Sequence, residues 1–143
     1  MATFSVQNPW GRWAARLAAG FFVLFSVFQV ALALGAPFGG MVWGGQSAVL
    51  PGPLRTSSVL AAVVLAGAAV VMLVRSGDLG RSAPRLPFLG LNILFAAYLV
   101  LNTAGNLVSQ SVMERMVMGS ASAIGAALCA LAAVLARPTR AGD

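Results

Sequence analysis

The sequence predicts an all-α integral membrane protein, a single up-down four-helix bundle over residues 1–143. Three observations predict it. The chain is 59% hydrophobic and only 8% charged, too little polar surface to coat a soluble globule. Four uncharged apolar runs approach the length of about 20 residues that carries a helix across roughly 30 Å of hydrocarbon. Between them lie the glycines, prolines and arginines that end spans.

The composition also excludes functions. Net charge +6 comes from nine arginines standing singly between apolar runs, so they read as topology signals and not as a nucleic-acid-binding face. With no histidine and one cysteine, a single chain has no intramolecular disulfide, zinc cluster or histidine-ligated haem, and no cofactor or metal is expected. Cys129, inside an apolar run, reads as packing. Heavy use of Ala, Gly, Val and Arg without Lys fits a GC-rich bacterial genome, and hence the bacterial inner membrane.

The first span is expected at 17–34. Arg12, Arg16 and the small residues of ALALGA resemble a signal peptide, but the run is long for one, and cleavage would leave three spans with mismatched flanking charge. Phe21, Phe25, Phe28 and Leu32 form one stripe, read as lipid-facing or as core filler, and Ser26 and Gln29 another. The second span, 56–74, repeats small residues at Ser58, Ala62 and Ala66. The third is 88–108. The fourth, 117–136, carries Ser122, Ala126 and Ala130 beside a row of Gly125, Cys129 and Ala133. Such rows let helix backbones approach in lipid, where the hydrophobic effect does not draw helices together.

The connection at 75–87, RSGDLGRSAPRLP, reads as a firm loop in which two prolines interrupt helix and three arginines resist burial. Arg12, Arg16, Arg75, Arg81, Arg85, Arg137 and Arg140 fall on one side, Arg55 and Arg115 on the other. Seven against two orients both termini toward the cytoplasm. Trp10 and Trp13 then sit at the cytoplasmic interface and Trp43 at the outer one.

Polar residues on the third span need partners, because a bare amide in hydrocarbon costs kilocalories. Asn102, Asn106 and Ser109 share one face, with Asn92 further down roughly the same side. They are expected to bond between helices, with Gln29 or Ser26 as partners; alternatively Gln29, Asn102, Asn106 and Ser109 line an outward polar pocket. Arg55 and Glu114 precede the two inward-running spans. Glu114 suits the positive end of a helix, Arg55 does not, and an ion pair between them would satisfy both. Arg115 is left to lipid phosphate or water.

The connection GAPFGGMVWGGQSAVLPGPLR, residues 35–55, is too broken for a span and too apolar for a solvated linker. It is expected to cap the outer end: Gly39, Gly40, Gly44 and Gly45 allow tight turns, Pro37, Pro51 and Pro53 stiffen the path, and Phe38, Met41, Val42 and Trp43 dip into the interface. GAPFGG, WGGQ, LPGPLR and the later LVSQSVMERMVMG resemble segments of a group of small uncharacterised four-span bacterial membrane proteins. The resemblance implies a four-helix membrane fold and no established activity, cofactor or catalytic residue.

Three function classes follow. The one that demands least is a non-enzymatic assembly, accessory or regulatory component whose partners are the lipid bilayer and either a second copy or another membrane protein. The alternative is a small-amphiphile-binding or transport protein, with residues 35–55 as a lid. No acid lies within the spans as bounded above, which disfavours a proton-driven exporter. An enzyme fits worst: histidine, paired carboxylates and a thiol pair are all missing, no catalytic residue is assigned, and only Glu114 has acid–base chemistry to offer.

Overall fold

Asn8 starts the first helix: its side-chain oxygen accepts from the Trp10 N–H at 3.0 Å, and Pro9 fills the first helical position, where no donor is needed. The computed structural model describes residues 8–80 and 83–136. Its helices are α1 (Pro9–Ala33), α2 (Gly52–Ser76), α3 (Arg85–Leu107) and α4 (Ser120–Leu135), the last continuing a π-helical stretch at Glu114–Gly119. The fold is all-α, four packed helices each long and apolar enough to cross a membrane.

All four spans start before the expected positions, α2 included with Pro53 in its first turn, because polar or proline-bearing first turns either find partners or need none. Arg12 and Arg16 stay helical because both turn toward Asp78, at 4.0 and 2.7 Å. Pro84 caps α3 and Pro87 lies in its first turn, where backbone donors have no helical acceptor, so the prolines expected to break a helix begin one. Ser111 accepts from the Glu114 N–H at 3.2 Å, so helix resumes at Val112 and the 109–116 connection shrinks to a tight turn. Glu114 therefore lies inside the fourth span, not in front of it.

Packing rests on small side chains. The face Gly11, Ala14, Ala15, Ala18 and Ala19, with Phe22 beyond it, is buried along α1, whose most extensive neighbour is α2 and next α4. A Cβ on Gly11 would stand 2.4 Å from the Leu135 carbonyl carbon, so this glycine sets the separation of α1 and α4. Arg16 near the start of α1 meets Asp78 just past the end of α2, and Gly11 meets the end of α4; α1 is antiparallel to both. Asn92 early in α3 meets Cys129 and Ala133 late in α4, which makes that pair antiparallel too.

The strict four-residue rows drift off the interface. Ser58 and Ala62 are buried, but the α2 seam continues through Ala69, Met72 and Ser76 and leaves Ala66 exposed. On α4, Ser122, Gly125, Ala126, Cys129 and Ala132 are buried, Ala133 is half-buried and Ala130 is exposed. At 3.6 residues per turn, a constant step of four rotates around the helix, whereas alternating steps of three and four hold one side. Phe22 is the fully buried aromatic of α1; Phe21, Phe25 and Phe28 are half-buried and stack in a ladder that reaches Phe38 in the loop.

Candidate functional site

The polar side chains of α3 are used mainly against α4. Asn92, 0% exposed, donates to the Cys129 carbonyl and accepts from the Ala133 N–H, both at 3.2 Å. Those two backbone groups are the i and i+4 partners of an α-helix, so one amide docks across a rung of α4. Asn106 donates to Ser122 Oγ at 3.3 Å, and that hydroxyl donates to the Met118 carbonyl at 2.6 Å. Asn102 is half-buried and its side chain makes no hydrogen bond among the described residues. On α1, Ser26 donates to the Ala62 carbonyl of α2 at 2.8 Å, while Gln29 keeps a buried Oε1 with no donor. The expected pocket set of Gln29, Asn102, Asn106 and Ser109 is thus not joined by bonds among its own members.

Ser109 belongs to a different cluster. Its hydroxyl donates to Glu114 Oε2 and accepts from the Ser111 N–H at 3.2 Å. The same carboxylate oxygen accepts from the Gly44 N–H at 3.0 Å, and Ser111 Oγ donates to the Gly40 carbonyl at 2.7 Å. Loop 35–51 is thereby fastened to the α3–α4 turn. Gly45, at φ +67°, sits so close that a Cβ would lie 2.5 Å from that of Ser111, and only glycine meets both demands. Trp43 adopts φ 53°, uncommon for a bulky residue, and its indole donates to the buried Ser58 Oγ at 3.2 Å. Beneath the loop, Leu32, Val42 and Leu50 pack with Phe28, Met41, Leu54 and Met118. This is a folded cap on the ends of α1 and α2 and on the α3–α4 turn.

Arg55 and Glu114 do not pair. Arg55 Nε donates to the Leu50 carbonyl at 2.9 Å, and its guanidinium lies over Gly35, just past the end of α1. The physical reason is the antiparallel packing of α1 on α2, which brings the negative end of α1 beside the cation that the start of α2 disfavours. Glu114, 7% exposed, has neutral donors in place of a cation. Arg115 reaches the Ser109 carbonyl at 2.9 Å, at the C-terminal end of α3.

The opposite end holds a cluster that sequence reasoning missed. Arg16 grips Asp78 through both carboxylate oxygens, at 2.8 and 2.7 Å, and Ser76 Oγ adds a bond at 2.8 Å. The Arg16 bonds, against some opposing burial, and the Ser76 bond hold the Asp78 carboxyl at about 2. Arg75, expected to resist burial, is 5% exposed: its guanidinium donates to the Ala132 and Ala136 carbonyls at 3.1 and 2.9 Å, capping α4. A cation at a helix C-terminus meets unpaired carbonyls and the negative end of the dipole, which offsets burial. Asp78 follows Arg75 by three residues, but Arg75 turns to α4, and no local rule identifies Arg16 as the partner of Asp78. Arg81, Arg137 and Arg140 of the orientation argument lie outside the described residues, as does the Arg85 side chain.

Among the described residues no three His, Cys, Asp or Glu side chains come together as a metal set. No protein-family model, curated protein or solved structure matches the chain. The four helices of spanning length that the sequence resemblance implied are present, and no family is identified.

Proposed function

We propose that this chain is a non-enzymatic component of the bacterial inner membrane that assembles with further copies of itself or with another membrane protein, in an accessory or regulatory role. One observation carries the reading. The rest of the chain buries only 11% of the apolar window of α3, against 28%, 39% and 33% for the other spans. Asn92 and Asn106 of α3 are turned to α4, while Gly90, Ala97 and Ala104, seven residues apart, lie exposed on its uncovered side. Small residues in that register let another helix backbone approach closely. Orientation belongs to the same proposal: the arginine bias puts both termini and Asp78 in the cytoplasm and the cap outside.

Native mass spectrometry of protein extracted in mild detergent tests it. The expected result is an oligomer that Ala97→Trp dissociates with helicity retained; a monomer with no crosslinked partner in native membranes would sink the reading. Gln29 favours a second one. Its buried carbonyl oxygen without a donor fits an amphiphile carrying a hydroxyl or N–H group, which would copurify with the wild type and be lost in Gln29→Leu.

A further inference from the structure

The end of the bundle where α1 begins and α2 ends carries more cation than its own carboxylate takes up. Both oxygens of Asp78 are engaged: Arg16 donates to one at 2.7 Å and to the other at 2.8 Å, and Ser76 Oγ donates to the second as well. Arg12 stands 4.0 Å from that carboxylate, its side chain makes no hydrogen bond among the described residues, and 44% of it is exposed. Arg75 is spent on α4 carbonyls, and Glu114, the other acid among the described residues, is bound at the cap. The surface around Arg12 is aromatic. Trp10 and Trp13 are exposed, and neither indole N–H has an acceptor among the described residues. The Trp13 ring is held in place, 5.3 Å beneath the Arg16 guanidinium that Asp78 grips. Leu17, Leu24 and Val27, all exposed, continue the Trp10–Trp13 side of α1 in steps that keep to one helix face.

We propose that this corner of α1 is a binding site for one anionic phospholipid: Arg12 pairs with the headgroup phosphate, Trp10 and Trp13 donate to the ester oxygens, and the acyl chains lie along Leu17, Leu24 and Val27. With 25 residues α1 is about 37 Å long, more than the roughly 30 Å of hydrocarbon, so its charged first turns stand among the headgroups. The guanidinium fork matches phosphate geometry, and a charge-assisted bond gains strength where water is scarce. A zwitterionic lipid brings its own cation to the phosphate, so the surplus charge on Arg12 selects a net-anionic headgroup. Soluble phosphate satisfies Arg12 alone. Only a lipid joins an anion to ester groups and chains along the stripe from Trp10 to Val27, which at about 25 Å is close to the depth of one leaflet. The inference goes beyond the assembly reading and does not rest on it.

The test uses nanodiscs of equimolar phosphatidylglycerol and phosphatidylcholine with matched chains, opened in mild detergent, and native mass spectrometry of the lipid that stays bound. The wild type should keep phosphatidylglycerol over phosphatidylcholine by about fivefold, the selectivity of one arginine near an anionic lipid surface. Arg12→Gln should bring that ratio near one, and Arg115→Gln, at the other end of the bundle, should leave it unchanged. No retained phospholipid, a wild-type ratio near one, an unchanged ratio in Arg12→Gln or an equal loss in Arg115→Gln would overturn the site. Excess inorganic phosphate should not displace the lipid; displacement would mark a site for soluble phosphate and defeat the assignment. If Arg12→Gln does not insert, Trp10→Phe/Trp13→Phe is the second variant, keeping both rings and removing the indole donors. It should retain less phosphatidylglycerol than the wild type, and undiminished retention also defeats the proposal.

Discussion

Asn92 faces the problem every amide meets in a membrane helix, and it solves it by borrowing a rung of its neighbour's ladder. The Cys129 carbonyl and Ala133 N–H that it engages can close on each other when the amide is removed, which limits the loss. Asn92→Leu should therefore cost only about 1 kcal/mol, in the range of interhelical hydrogen bonds in membranes, measured by unfolding in mixed micelles. A loss of several kcal/mol would mean that the two backbone groups do not re-pair. Asp78 gives a prediction with a sign. Its carboxyl, held at about 2 against an ordinary value of 3.8, contributes stability that is complete above the ordinary value and lost as pH falls from about 4 through 2. Asp78→Asn should lower stability near neutrality and flatten the profile in that window. Both residues illustrate what local reading misses: their types signalled a need for partners, but Arg16, 62 residues from Asp78, is adjacent only once α1 and α2 are packed.

At the scale of elements, the chain's glycines divide by where they fall. Gly11 has the α4 backbone within 2.4 Å of its missing Cβ, while Gly20, on the same helix, has nothing within 4 Å. Gly11→Ala should force α1 away from α4 at a cost of roughly 1–3 kcal/mol. Gly20→Ala should be neutral or stabilising by up to about 1 kcal/mol, since alanine is the better helix former. Thermal unfolding of the two variants side by side checks this, and equal losses would contradict the packing. Spans were legible because apolar length is a property of the segment alone. Their ends were less so, because whether Arg12, Pro87 or Glu114 ends a helix depends on Asp78, the Pro84 cap and Ser111 respectively. The π-helical stretch Glu114–Gly119 had no signal in the periodicity.

For the molecule as a whole, orientation is the property most open to direct measurement. In a Cys129→Ala background, Gln46→Cys in the cap should react with a membrane-impermeant thiol reagent on intact cells, and Leu79→Cys near Asp78 only after lysis. The reverse pattern would invert the topology. The sequence by itself determined the solvent: a chain this apolar, with so few charges, has nowhere to fold but a bilayer, and four runs of spanning length leave little choice of element. It also located the apolar cap and the residues that needed partners. Only the tertiary structure decided who those partners are. Arg55 went to the end of α1, Glu114 to the cap and Arg75 to the end of α4, because helix packing juxtaposes segments that are distant in the chain. Hydrogen bonds and charges act over a few ångströms of space, and the order of residues along a chain does not encode which ends will share that space until the helices are packed.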